Sequence, residues 1–304
     1  MWPTRRNRHQ QICTALDAFA AATPLPGIAA VTHRDTFAWQ IVASLRRLEY
    51  TAMRLQRDVS PNRADATSDM FDPEAAAIFH SRSGNVDEAV WLTFLATHFG
   101  KNLNTGWKLL RGVYSGLGVG NWTWSKVSTN PDAFADWLAA NHESLEGAFG
   151  NHRKYESLKP GSNGTAAVVR SYIQWVGPSR LHQARFADLV LEGGNDPHAI
   201  FAHFYDSLRV HRFGRLAKFD FLTMLGRLSL APIEPGSPYI REATGPKRGA
   251  RLLFLGNSED NSADSSLDSQ VIQLGKALGV GMQVMEDAIC NWQKSPSKFV
   301  HFRG

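Results

Sequence analysis

Between Asp196 and Gly249 the chain gathers the residue types that chemistry on a polyanion requires. Phe213-Gly214-Arg215 reads as a tight turn between two helical segments, and the helix start behind such a turn directs backbone N–H groups at a phosphate. Arg212 and Arg215 flank the turn, and Lys218 follows on the second segment. The loop beyond adds the carboxylates Glu234 and Glu242 beside Arg241, Lys247, Arg248 and Arg251. A fixed carboxylate stabilises a developing sugar cation, and cations neutralise phosphates, so this mixture points to chemistry on a nucleic acid. An ordinary pair of packed helices with solvated charges is the competing reading. Asp220, within the second helical segment, is a further acid, with a helix-face ion pair as its plainer role. A second basic cluster, His152-Arg153-Lys154, precedes Tyr155, and Tyr155, Trp122 and Trp124 are the aromatic residues available to line a base pocket.

Helical periodicity supplies the frame. Phe37, Ile41, Leu45 and Leu48 fall on one apolar face. Asn85 with Glu88 three residues on reads as an N-cap with a reciprocal acid, opening a helix through Leu92, Leu95 and Phe99. Asn130-Pro131 introduces an amphipathic piece, and Asp196-Pro197 combines an N-cap with proline at the first helical position. A last helix is expected over roughly 268–294. Strand signals are scarce: Arg251–Gly256 reads as one short strand or a helix end. The fold class is therefore all-α. The turn cluster Lys159–Thr165 is the expected boundary between an N-terminal part, 1–160, and a C-terminal part, 161–304, unless the two form one intimate domain. Asn257–Asp268 is acidic and Ser-rich.

Bulk properties narrow the classes. The 304 residues, 43% hydrophobic, bury a substantial core, and most of the nine Trp belong in it. A net charge of +5 favours polyanionic partners. Two cysteines cannot make a disulfide framework or a four-ligand zinc site, which fits a reducing cytoplasm; no metal or cofactor is expected. No apolar run reaches the roughly 18 residues a membrane span needs. No HExxH, Walker loop or GxSxG occurs, and the glycines at 116, 118 and 120 read as a Trp-flanked turn. His98, His203 and His211 stand in helical context as structural residues.

Five strings carry a resemblance: Asp87–Trp107 (DEAVWLTFLATHFGKNLNTGW), Phe149–Leu158 (FGNHRKYESL), Arg212–Leu228 (RFGRLAKFDFLTMLGRL), Gly236–Phe254 (GSPYIREATGPKRGARLLF) and Glu286–Ser295 (EDAICNWQKS). Through them the chain resembles clade 3 of the α-glutamyl/putrescinyl thymine pyrophosphorylases, a helical family associated with hypermodified bases in phage DNA. The resemblance implies a core similar to helix–hairpin–helix DNA glycosylases. Laying Phe213-Gly214-Arg215 on the V-G-R of that hairpin puts Leu216 where lyases carry lysine, so no Schiff base with the sugar is expected. Eighteen residues on from Leu216 stands Glu234, at the place of the catalytic Asp, while a register through Pro238–Arg241 puts Ser237 there instead.

The implied activity is that of a monofunctional glycosylase-like enzyme that flips and excises a modified base from double-stranded DNA, leaving an abasic site, in defence against phages with decorated genomes. Glu234 is the first-choice carboxylate, with Glu242 and Asp220 in reserve. Phe213, Gly214 and Arg215 grip a phosphate, and Arg153, Lys154, Arg212, Lys218, Arg241, Lys247, Arg248 and Arg251 are the DNA-facing cations. The alternatives are a transferase placing an amino acid or polyamine on pyrophosphorylated hydroxymethyluracil in DNA, and a non-catalytic reader of modified DNA.

Overall fold

Side-chain caps start several helices, at Asn130 and Asp196 where the sequence expects them. Asn130 accepts from the Ala133 amide at 3.0 Å, and Asp196 accepts from His198 and Ala199 at 3.3 Å each. Asp72, followed by Pro73, takes the amides of Glu74 and Ala75 at 3.0 and 3.1 Å. A computed structural model describes residues 2–302 and contains fifteen α-helices and no strand among them. The first five are α1 Arg6–Ala22, α2 Val31–Gln56, α3 Pro61–Ala64, α4 Pro73–Arg82 and α5 Val86–Phe99. Next come α6 Lys108–Tyr114, α7 Trp124–Thr129, α8 Pro131–Asn141, α9 Thr165–Val176 and α10 His182–Gly193. The last are α11 Pro197–Ser207, α12 Arg215–Arg227, α13 Gly245–Leu255, α14 Leu267–Leu278 and α15 Met282–Trp292.

By its internal contacts the described chain forms two units, one of residues 2–51 with 235–302 and the other of residues 52–234. The turn cluster Lys159–Thr165 lies inside the second of these. In the terminal unit, Ile12 and Leu16 of α1, Phe37 and Ile41 of α2, Leu253 of α13, Val271 of α14 and Trp292 of α15 share one core. Arg251–Gly256 is the end of helix α13, stopped by Gly256 in the left-handed region at φ 74°, and not a strand. The expected long C-terminal helix is two, because Gly279 takes φ 61° and ends α14 before α15 begins.

The central unit is built around α5, every residue of which from Glu88 to Phe99 is buried. Helices α4, α6, α7, α10 and α12 pack against it. Asn85 caps α5 as expected, accepting from the Glu88 amide at 3.3 Å. Glu88 does not reciprocate. Its carboxylate turns into the core, where it accepts from the Tyr114 hydroxyl and, at 2.7 Å, from the Trp124 amide. Burial pushes the Glu88 carboxyl above its ordinary range despite these donors.

Candidate active site

The end of α5 and the segment 149–153 approach through two glycines. The Gly150 amide donates to the Phe99 carbonyl at 2.8 Å, and a Cβ on Gly150 would meet the Gly100 carbonyl carbon at 2.9 Å. Gly100 itself has φ 62°. Asn102 locks the same junction by donating from Nδ2 to the Phe149 carbonyl at 2.9 Å. Beside it opens a cavity of about 220 Å³ within the central unit, lined by Glu74, Thr97, Lys101, Trp107, His152, Arg153 and Asp220, among others.

Arg153 is held in the wall. Its Nε donates to the Thr97 carbonyl at 2.7 Å and its Nη2 to Asp220 Oδ2 at 3.0 Å. The Arg153 side chain is 10% exposed and that of Asp220 43%, so the acid reaches the cavity while its partner stays buried. Glu74 enters from the first turn of α4, where Arg54 Nη1 pairs with it at 3.1 Å. Burial, aided by Asp72, outweighs Arg54 and raises the Glu74 carboxyl above the usual range. The cavity thus combines one acid whose carboxyl is raised by burial with a second acid fixed by a guanidinium. Two carboxylates in unlike surroundings are the setting for acid and base roles. Behind them His98 is buried and neutral; burial, then Arg153 and Arg212, lower it to about 3, and its Nε2 lies 3.0 Å from the Thr165 hydroxyl.

The residues proposed from sequence meet this cavity unevenly. Asp220 and Arg153 line it together. Arg212, at φ 60°, gives its guanidinium to Glu156 at 3.0 Å and to the Tyr155 carbonyl at 2.7 Å. Phe213 is buried and stacks on Phe94 with 5.0 Å between centroids, and its amide and that of Gly214 bond inside the turn to Val210 and Arg212 carbonyls. The Arg215 guanidinium lies 4.9 Å over the Phe219 ring, and Lys218 Nζ donates to the Tyr205 carbonyl at 3.1 Å. Tyr155 is 77% exposed with the Lys154 ammonium over its ring. Trp122 is buried against Phe134 and Trp137.

Glu234 is not brought to the Phe213–Arg215 turn. Its amide bonds to the Pro197 carbonyl at the start of α11, and its carbonyl accepts from His198 Nδ1 at 3.0 Å. Ile233 lies against Gly226 near the end of α12. The 13 residues of α12 put roughly 20 Å between that end and the Phe213–Arg215 turn. Glu242, Arg241, Lys247, Arg248 and Arg251 belong to the terminal unit. There Arg248 pairs with Glu259 at 2.7 Å, and Arg251 with Asp264, whose carboxyl that hydrogen bond holds low. The acidic segment after α13 thus already engages two of the predicted DNA cations.

Sequence reasoning missed Glu74, Lys101 and Trp107. Lys101 and Trp107 stand in the first resemblance string, whereas Glu74 reads as nothing more than a first-turn acid behind Pro73. Trp124, expected from sequence to line a pocket, walls a larger cavity of about 700 Å³ in the central unit together with Asp87, Glu88, Tyr114 and Arg180. At its edge Asp87 accepts from His182 Nδ1 at 2.8 Å, and His182 Nε2 lies 2.8 Å from the Tyr172 hydroxyl. The acceptor at Nδ1 fixes the tautomer, so Tyr172 donates to Nε2. Burial opposes the Asp87 charge, yet the two bonds from His182 hold its carboxyl low.

No curated protein and no solved structure matches the chain. The sequence pattern of one family matches residues 32–304, which takes in the cavity and all five resemblance strings. On that match the chain belongs to the alpha-glutamyl/putrescinyl thymine pyrophosphorylase family, clade 3.

Proposed function

We propose that the protein modifies bases in DNA by cleaving the N-glycosidic bond of a hypermodified base, with the chemistry in the cavity of Glu74 and Asp220. One observation carries the reading. Three of the five strings behind the family resemblance supply every lining residue of this cavity except Glu74. In the proposed reaction the bond from C1′ to the base breaks and its electrons stay on the base. Glu74 protonates the departing base, Asp220 faces the sugar cation, and water adds to C1′ while passing its proton to Asp220. Arg153 keeps Asp220 aimed, and Lys101 and His152 attend the flanking phosphates. Phosphate grip at the hairpin falls to the amides of Leu216 and Ala217, early in α12, where no intrahelical acceptor exists.

The test is incubation with DNA carrying hydroxymethyluracil or glucosylated hydroxymethylcytosine, followed by mass spectrometry of released bases and abasic sites. Asp220→Asn should bind DNA normally yet release base about a hundredfold more slowly. Full activity in Asp220→Asn together with loss in Glu234→Gln or Glu242→Gln would return the chemistry to the loop. With Leu216 in the lysine position, the abasic strand should stay uncut until alkali is added.

A second reading rests on the family name, which speaks of pyrophosphate. In a transferase, Lys101, His152 and Arg153 would neutralise a departing pyrophosphate, and the product would be a heavier base in intact DNA.

A further inference from the structure

His9 and Cys13 stand four residues apart on α1 and so share a helix face, and Asp35 sits near the start of α2. One ligand atom from each falls within 4.8 Å of the others. Cys13 Sγ is 3.9 Å from His9 Nδ1, 3.7 Å from His9 Nε2 and 3.6 Å from Asp35 Oδ1. A tetrahedral ion with bonds of about 2.3 Å to sulfur and 2.0 Å to nitrogen or oxygen sets such edges near 3.5 Å. The sulfur edges to Nδ1 and Oδ1 lie within a few tenths of an ångström of that value, and the imidazole and carboxylate stand within 4.8 Å of each other.

The imidazole is also prepared. His9 Nε2 lies 3.1 Å from the Asp35 carbonyl, to which an N–H there donates, and this leaves Nδ1 as a bare lone pair. Metal-bound histidines are held in this way, with the outer N–H on a carbonyl or carboxylate. The ring stacks on Trp39 with 4.2 Å between centroids, which limits its rotation. Arg34 touches Asp35 at 3.3 Å but makes two shorter bonds to Asp17, at 2.9 and 2.7 Å. Asp35 therefore keeps a carboxylate oxygen for a ligand bond.

We propose that His9, Cys13 and Asp35 bind one divalent ion of the zinc class, joining α1 to α2 and leaving a fourth position for water. A mixed nitrogen, sulfur and oxygen set selects zinc or its transition-metal neighbours over magnesium or calcium. On binding, the Cys13 S–H bond breaks, the proton leaves to solvent, and a metal–sulfur bond forms. Thiolate and carboxylate charges then balance the ion. His9 and Cys13 precede residue 32, where the family match begins, and Asp35 lies within it.

The full-length protein, stripped with chelator, would be titrated with cobalt(II). One equivalent should give the strong visible bands of a four-coordinate ion and a near-ultraviolet thiolate band, both displaced by zinc. Cys13→Ser should remove the thiolate band. His9→Gln, at a half-buried position and with its helical circular dichroism intact, should weaken binding at least tenfold, since even outer partners of ligands cost about that much. Zinc should raise the melting temperature of the wild type and not of His9→Gln. The spectrum of six-coordinate aqueous cobalt in the wild type, or an unchanged thiolate band in Cys13→Ser, overturns the site.

Discussion

Arg153 satisfies a backbone carbonyl and a carboxylate with one guanidinium, so removing it has two separable effects. Arg153→Met strands the Thr97 carbonyl in a buried wall and should cost about 2–3 kcal/mol in urea unfolding. Asp220→Asn should cost less than that, because the Asp220 side chain is 43% exposed and the amide can still accept from Arg153. His98 gives a pH dependence of known sign. Folding lowers it from 6.5 to about 3, so the unfolded chain binds a proton that the folded chain refuses. Its stabilising contribution is complete above about pH 6.5 and drains away as the pH falls towards 3, by on the order of 4 kcal/mol. Acid unfolding followed by circular dichroism should become shallower over that window in His98→Gln. An unchanged slope would move the cause to other groups. At this scale the sequence was least legible. Glu74 looks like one more acid behind a proline, and counting cysteines alone hid the His9 and Cys13 pair at helical spacing.

At the scale of elements the caps were readable because they are local. Asn130-Pro131 and Asp196-Pro197 fix their helix starts from two adjacent residues. Glu88 shows where local reading ends: the same acid that suits a capping box is drawn inward by Tyr114 and Trp124, contributed from residues 26 and 36 positions away. Glu234 shows it again, since a count along the chain ignores the straight run of α12. The segment after α13 invites a direct test. Glu259 and Asp264 engage Arg248 and Arg251, so Glu259→Gln with Asp264→Asn should free both cations and tighten DNA binding several-fold at low salt. Weaker or unchanged binding would remove these arginines from the DNA surface. Packing between α13 and α15 depends on Gly249, where a Cβ would meet the Ile289 carbonyl oxygen at 2.5 Å. Gly249→Ala should therefore destabilise by about 1–3 kcal/mol in thermal melts, as overpacking does.

For the whole molecule, a charge of +5 makes any DNA affinity strongly salt-dependent. Replacing Lys247 and Arg248 by Ala should flatten the plot of log affinity against log salt by about one unit for each phosphate no longer neutralised. An unaltered slope in filter binding would leave the work to cations of the central unit. No helix among the described residues is long and apolar enough to cross a membrane.

One unit is assembled from both ends of the chain, with 183 residues (52–234) between its halves. On a ribosome moving at about 5–20 residues per second, that interval lasts roughly 10–40 s. During it Ile12, Leu16, Phe37 and Ile41 have no Leu253, Val271 or Trp292 to cover them. The central unit can finish meanwhile, since its contacts lie within its own sequence. The nascent chain therefore carries a sticky apolar face for that interval, and chaperone demand should fall on α1 and α2 rather than on the unit that holds the cavity.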